Sequence, residues 1–277
     1  MSDAKVVSNH YTHGSLLDAI RAGVEGLGKS PESVSVDDLG PVEEFHIGGR
    51  VATESFLDQL DLLSDDHVLD VGCGLGGASR FVAQRYGSRV TGIDLTQEYV
   101  ETGQVLCSWV GLEHRIALDQ GNATALSYPV GAFDKAYMMH VGMNIADKQL
   151  LVSEMHRVLR PGGYLGIYDV MRVGDGDLTF PVPWAATAES SAVASPDEYK
   201  HALKAVGFQI VAERNRRDFA LEFFARLQAS ATAAEAPPPL GLHILMGEAA
   251  PLKVKNMIEN ISENRLAPVE LIAEKLP

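Results

Sequence analysis

The residues with chemistry to offer begin at Asp70. In Asp70-Val71-Gly72-Cys73-Gly74-Leu75-Gly76-Gly77 a short apolar strand ends in a carboxylate and passes into glycines. Glycines there turn tightly and let the backbone approach a ligand with no Cβ in the way. The run from Ala78 to Tyr86 reads as the helix that follows. About twenty residues on, Val90-Thr91-Gly92-Ile93-Asp94 reads as a second strand, whose terminal carboxylate could accept hydrogen bonds from both hydroxyls of a ribose. This is the pattern of a nucleotide cradle. The spacing Gly72-x-Gly74-x-x-Gly77 also satisfies the dinucleotide fingerprint, and Asp70 separates the two readings. A pyrophosphate gains nothing from another negative charge, whereas a carboxylate suits a cation.

The elements that must position these residues follow from periodicity and stop signals. Residues 14–27 place Leu16, Leu17, Ile20, Val24 and Leu27 on one helical face, with Gly28 as a stop, and read as a lid or dimer helix. Tyr11 precedes it, as an aromatic that closes over a ligand or as part of a frayed terminus. Ser30–Pro41 reads as a polar linker, and Val51–Leu63 as a helix entered through the Gly48-Gly49 turn. Beyond the cradle come a helix at Gln97–Val110, strands at Ile116–Asp119 and Phe133–Met139, and a helix at Lys148–Leu159. Arg160-Pro161-Gly162-Gly163 ends that helix, because proline cannot continue it and glycine accepts positive φ.

A buried strand at Tyr164–Val170, a helix at Pro196–Val206 and a strand at Phe208–Glu213 come next. A helical section with Phe219–Ala231, a Pro237-Pro238-Pro239 break and Lys253–Ile261 precedes a last strand at Val269–Ala273. Seven strands alternating with helices predict an α/β fold with a doubly wound, mainly parallel sheet and a ligand crevice at the carboxyl ends of the strands. Asp70, Asp94, Asn122, His140 and Asp169 all fall at such ends. Residues 1–63 read as a lid or substrate cap, and 64–277 as the ligand-binding domain with a helical insert over about 217–265.

Two stretches carry a family resemblance. Asp-x-Gly-x-Gly-x-Gly in Asp70–Gly76 resembles the glycine motif of class I S-adenosylmethionine-dependent methyltransferases. Leu159-Arg160-Pro161-Gly162-Gly163 resembles a second marker of that family, and dinucleotide enzymes do not usually carry it. The resemblance spans about residues 44–276 and is strongest from Val68 to Asp169. It implies a Rossmann-like seven-stranded sheet of order 3-2-1-4-5-7-6, the seventh strand antiparallel, with N-terminal lid helices and a helical insert before that strand. It implies S-adenosylmethionine as cofactor, whose sulfonium and ammonium explain Asp70 near its amino acid end. Gly72, Cys73 and Gly74 would give backbone contacts and Asp94 would hold the ribose. Leu95 would lie against adenine, with Thr96, Asn122 and Ala123 around it and His140 beside the cofactor. Asn122 stands where the family often has an aspartate, so its carbonyl would accept from the adenine amino group without the charge.

His46-Ile47-Gly48-Gly49-Arg50 and His140-Val141-Gly142-Met143-Asn144-Ile145 resemble segments of the sarcosine/dimethylglycine N-methyltransferase group. That likeness places Tyr11, His46, Arg50 and Trp184 in a substrate wall, with Arg50 suited to an acceptor's carboxylate. The core equally resembles sugar and natural-product O-methyltransferases, in which His140 and Asp169 would correspond to a His and Asp pair. On neighbouring strands their side chains could meet, His140 as general base and Asp169 orienting it. Alternatively, amine methylation needs only an aligned lone pair, and His140 merely shapes the pocket.

Composition narrows the partners. The 277 residues are 46% apolar and 22% charged, enough for one α/β core with appendages. The net charge of -14 opposes a phosphate backbone, and the only basic cluster is the short Arg214–Arg217 run, so a small-molecule acceptor is expected and a nucleic acid is not. Cys73 and Cys107 form neither a metal motif nor a disulfide framework, and no metal is expected. The start Met1–Lys5 lacks a leader pattern and no apolar run is long enough for a membrane span, giving the expectation of a cytoplasmic protein, with a homodimer as the one assembly left open. Two other classes stay in view: an NAD(P) oxidoreductase, and a noncatalytic cofactor-binding protein.

Overall fold

The computed structural model describes residues 11–12, 14–233 and 238–276. The readings of Met1–Lys5 and of Pro237 lie outside these. Seven strands form one sheet: β1 (His67–Val71), β2 (Arg89–Asp94), β3 (Ile116–Gln120), β4 (Phe133–Met139), β5 (Leu159–Arg172), β6 (Phe208–Asn215) and β7 (Leu266–Lys275). Their order is β3-β2-β1-β4-β5-β7-β6. Neighbours pair in parallel except at β7, which runs antiparallel to β5 and β6. The expected sheet is therefore present. The order reverses between β1 and β4, which opens a crevice at their carboxyl ends.

Side-chain alternation sorts the strands onto two covered faces. On one, Leu69, Val71, Ala136, Met138 and Ile167 pack under α6 (Lys148–Val158) and α7 (Pro196–Ala205). On the other, Val68, Tyr137 and Tyr168 meet α3 (Gly49–Leu57), α4 (Gly77–Tyr86) and α5 (Gln97–Trp109). Both faces are apolar, which is why the strands read as near-continuous hydrophobic runs. The stretch Leu159–Gly163 does more than end α6. Leu159 already pairs with Phe133, and the register then shifts before Lys135 pairs with Tyr164, so these residues form an irregular start to β5.

The amino-terminal segment caps this crevice. Leu16, Ile20 and Val24 of α1 (Leu16–Gly26) pack with Leu39 and Val42, with Leu106 of α5, and with Leu240 and Leu245 of the insert. The linker expected at Ser30–Pro41 is mostly a helix, α2 (Val36–Glu43). Ser35 caps it in a reciprocal pair with Asp38. Two aspartates in the first turn and Pro41 disguised it, while buried Val36, Leu39 and Val42 hold it to the core. The helix expected to reach Leu63 ends instead at Leu57 and tightens into a short 3₁₀ turn, Asp58–Leu60. The insert comprises α8 (Arg217–Ala233), α9 (His243–Met246) and α10 (Ala250–Ser262).

Candidate active site

A pocket of about 470 Å³ lies at the carboxyl ends of β1, β2 and β4, beneath the cap. Its floor is the glycine turn. Gly72 has φ +72° and lies against Val141, whose side chain a Cβ would strike. Glycine is required there for both reasons. Gly74, at φ +55°, donates its N–H to Asp94 Oδ2 at 2.9 Å, and Thr96 N–H donates to Oδ1 at 2.8 Å. Asp94 thus fixes the turn and the start of α5 while presenting its carboxylate to the pocket.

Asp70 also lines the pocket, and its Oδ2 accepts from the Ser79 hydroxyl at 2.6 Å. Burial raises its carboxyl to about 7, because the charged form loses its water. Cys73, Leu95, Thr96, Asn122 and Ala123 complete this half of the wall. Asn122 has a local commitment: its Oδ1 accepts from the N–H and hydroxyl of Thr124, at 2.9 and 2.8 Å. An adenine amino group would share that oxygen.

Glu43, at the end of α2, is a wall residue that the sequence reading missed. Its side chain is buried, its Oε2 accepts from Arg80 and its Oε1 has no hydrogen-bond partner. Gly77 admits it, since a Cβ there would stand 2.6 Å from Glu43 Cγ. The available signal was the Glu43-Glu44 pair ahead of two arginines, which gives no partner without the fold.

The opposite wall carries Tyr11, Phe45, His46, His140 and Asn144. Tyr11 packs on Phe45 and Tyr99 at 6.4 and 6.0 Å between ring centroids, and its hydroxyl bonds to Asn144. His46 Nε2 lies 3.0 Å from Thr53 Oγ1 and 3.2 Å from the carbonyl of Gly49. Burial lowers its pKa to about 4. His140 stands at φ +57°, its N–H donating to the carbonyl of Tyr168 at 2.7 Å. Its ring is 5.0 Å from that of Tyr168 and 6.0 Å from that of His46. Burial, then His46, hold its pKa well below the ordinary value, and its Nε2 is inaccessible and without a hydrogen-bond partner. The ring is neutral at neutral pH with a lone pair uncommitted.

Three expected placements are corrected. Asp169 does not meet His140. It points to the other face of the sheet, where its Oδ2 accepts from the Tyr199 hydroxyl at 2.6 Å. Successive residues of a strand alternate faces, and His140 sits with Tyr168, so Asp169 is turned away. Arg50 is absent from the described pocket wall. Its Nε lies 3.0 Å from Glu44 Oε1, Glu43 is at 3.9 Å, and the guanidinium stacks 4.8 Å from the Phe81 ring. Trp184 is buried against Val170, Val182 and Phe224, with its Nε1–H on Ser191. Of the expected substrate wall, Tyr11 and His46 reach the pocket. Among the described residues no cluster of three or more His, Cys, Asp or Glu could hold a metal ion.

Residues 68–163 match the family model described as a methyltransferase domain. GfsG, a methyltransferase of Streptomyces halstedii, is 30% identical over 175 residues, 63% of this chain and 61% of that one. Phosphoethanolamine N-methyltransferase 3 of Arabidopsis thaliana is 34% identical over 45% of this chain and 25% of its own. The chain thus aligns with less than two thirds of the length of these curated relatives. Among solved structures, the cyclase SpnF superposes with a TM-score of 0.70 at 22% identity, over 100% of this chain and 97% of the other. Geranyl diphosphate C-methyltransferase of Streptomyces coelicolor gives 0.72 at 18%, covering 100% and 98%. A sarcosine dimethylglycine methyltransferase from Galdieria sulphuraria gives 0.67 at 18%, covering 94% and 98%. The structural likenesses show the shared fold. The family match assigns residues 68–163 to a methyltransferase domain, and the sheet order agrees with the fold of the solved structures.

Proposed function

We propose that this chain binds S-adenosylmethionine in the capped pocket and transfers its methyl group to a small-molecule acceptor. The observation that carries the reading is the gathering of Asp70, the Gly72–Gly74 turn and Asp94 on one wall of a single pocket. Glycine backbone without Cβ atoms, a carboxylate for two ribose hydroxyls and a second carboxylate for a cationic amino acid end fit this cofactor. When bound, it supplies a methyl on a sulfonium. Transfer joins that carbon to the acceptor atom, leaves the carbon–sulfur electron pair on sulfur and releases one proton from the acceptor.

The chain's own residues would bind, orient and exclude water. Asp70 and Glu43 line the wall assigned to the cationic end, and Tyr11 with Phe45 covers the pocket from the cap. His140 is the base in this reading: its neutral ring, on the pocket wall, takes the proton without help from Asp169. A hydroxyl on a sugar or natural product is favoured over the amine of sarcosine or dimethylglycine, because Glu44 occupies the guanidinium that would have held their carboxylate. Calorimetry tests the first step. S-adenosylhomocysteine should bind and NAD should not, and tighter binding of NAD sinks the reading. A methyl-transfer screen of hydroxylated small molecules and amines tests the second, where no turnover with bound cofactor leaves a noncatalytic binding protein.

A further inference from the structure

The charge inventory of the pocket bears on which acceptors it admits. The described wall holds four carboxylates, Glu43, Asp70, Asp94 and Asp147, and no lysine or arginine. Cations near it are turned elsewhere. Arg50 faces Glu44 and Glu43, and Arg80 is spent on Glu43, the carbonyl of Gly103 and Cys107. Lys148 donates to the carbonyls of Ile145 and Ala192, at 2.5 and 2.7 Å. The two histidines of the wall supply no charge either, since burial keeps both neutral at neutral pH.

Apart from those carboxylates the described wall is apolar or neutral. Phe45, Met139, Ile145 and Leu245 are among the apolar residues of that wall, and Asn144 is already engaged by the Tyr11 hydroxyl and the carbonyl of Val141. Resting on the methyl-transfer reading, we infer that the acceptor is an uncharged molecule with an apolar body and a hydroxyl group, and that acceptors bearing a carboxylate or phosphate are refused. An anion entering here would give up its water with no lysine or arginine of the described wall to replace it. A neutral hydroxyl loses little, because the uncharged His140 ring on the wall can accept a hydrogen bond from it.

Matched pairs test this with the full chain saturated with S-adenosylhomocysteine, using calorimetry at pH 7.5. Geraniol is compared with geranyl monophosphate, and 2-naphthol with 6-hydroxy-2-naphthoate, so that each pair keeps its apolar body and differs in one anionic group. The neutral member of each pair should bind at least tenfold tighter. A preference below tenfold in either pair, a preference for the anion, or binding of neither member overturns the inference. Failure of S-adenosylhomocysteine itself to bind is seen before any acceptor is added, and overturns the methyl-transfer reading instead.

Discussion

Arg80 and Glu43 form an ion pair whose two side chains are wholly buried, joining α4, which follows the glycine turn, to α2 of the cap. Removing one partner leaves the other charged and dry. Glu43→Ala should therefore destabilise the fold by about 3–5 kcal/mol, whereas the double change Glu43→Leu with Arg80→Leu should recover much of that loss. Urea unfolding followed by circular dichroism measures both. A single variant within 1 kcal/mol of the parent, about the worth of an exposed pair, would mean that water reaches the site.

Asp94 holds two backbone N–H groups and faces the pocket, so its loss acts on the ligand and on the turn together. Asp94→Ala should raise the dissociation constant for S-adenosylhomocysteine at least tenfold, about 1.4 kcal/mol. Asp94→Asn keeps one acceptor for the turn and separates the two effects. Calorimetry on both variants checks this, and an unchanged constant in Asp94→Ala would place the ribose elsewhere.

Burial puts the Asp70 carboxyl at about 7, so near neutral pH the protein alone holds it as a mixture of acid and carboxylate. A cationic ligand favours the carboxylate. S-adenosylmethionine should therefore bind more tightly as pH rises through 7, and its binding below 7 should release a proton. Titrations in buffers of different ionisation enthalpy count that proton directly. Proton uptake instead of release would contradict Asp70 as the cationic end's partner.

His140 and Asp169 should behave independently, because Asp169 faces Tyr199 on the other side of the sheet. With an acceptor in hand, His140→Ala should lower kcat by ~10²–10⁴ with little change in cofactor affinity. Asp169→Asn should lower kcat less than tenfold and leave the pH profile in place. Equal losses in the two variants would restore them as a coupled pair.

Asp169 also carries a stability signature. Burial raises its carboxyl from 3.8 to about 6, so the stability tied to its protonated form is full below 3.8 and is lost as pH rises through 6. Asp169→Asn has no such loss. Relative to the parent it should gain on the order of 2–3 kcal/mol between pH 4 and 7. Denaturation midpoints across that range test the sign.

The glycine run after β1, the carboxylates at the ends of β1 and β2 and the seven-strand alternation were legible because they depend on local geometry. A turn needs positive φ within a few residues, and an apolar strand needs only its own side chains to declare itself. Strand order came through resemblance, and the sheet has that order. The helix α2 was hidden because Asp37, Asp38 and Pro41 look like linker, and its buried face becomes visible only when α1 and Leu75 pack on it.

Partnership lay beyond the sequence. The residue type of Arg50 offered a cation, but the fold delivers it to Glu44 and Phe81. Asp169 is at the end of its strand as read, yet one step of alternation sends it to Tyr199 and leaves Tyr168 beside His140. Glu43, from a segment more distant in the chain, meets Arg80 and Gly77 only because the cap packs on the sheet domain. Sequence determines the conformation each short stretch prefers. Which charges are neutralised, which stay buried without a partner and which reach the pocket is decided by long-range packing, because desolvation and pairing energies depend on neighbours that the chain supplies from elsewhere.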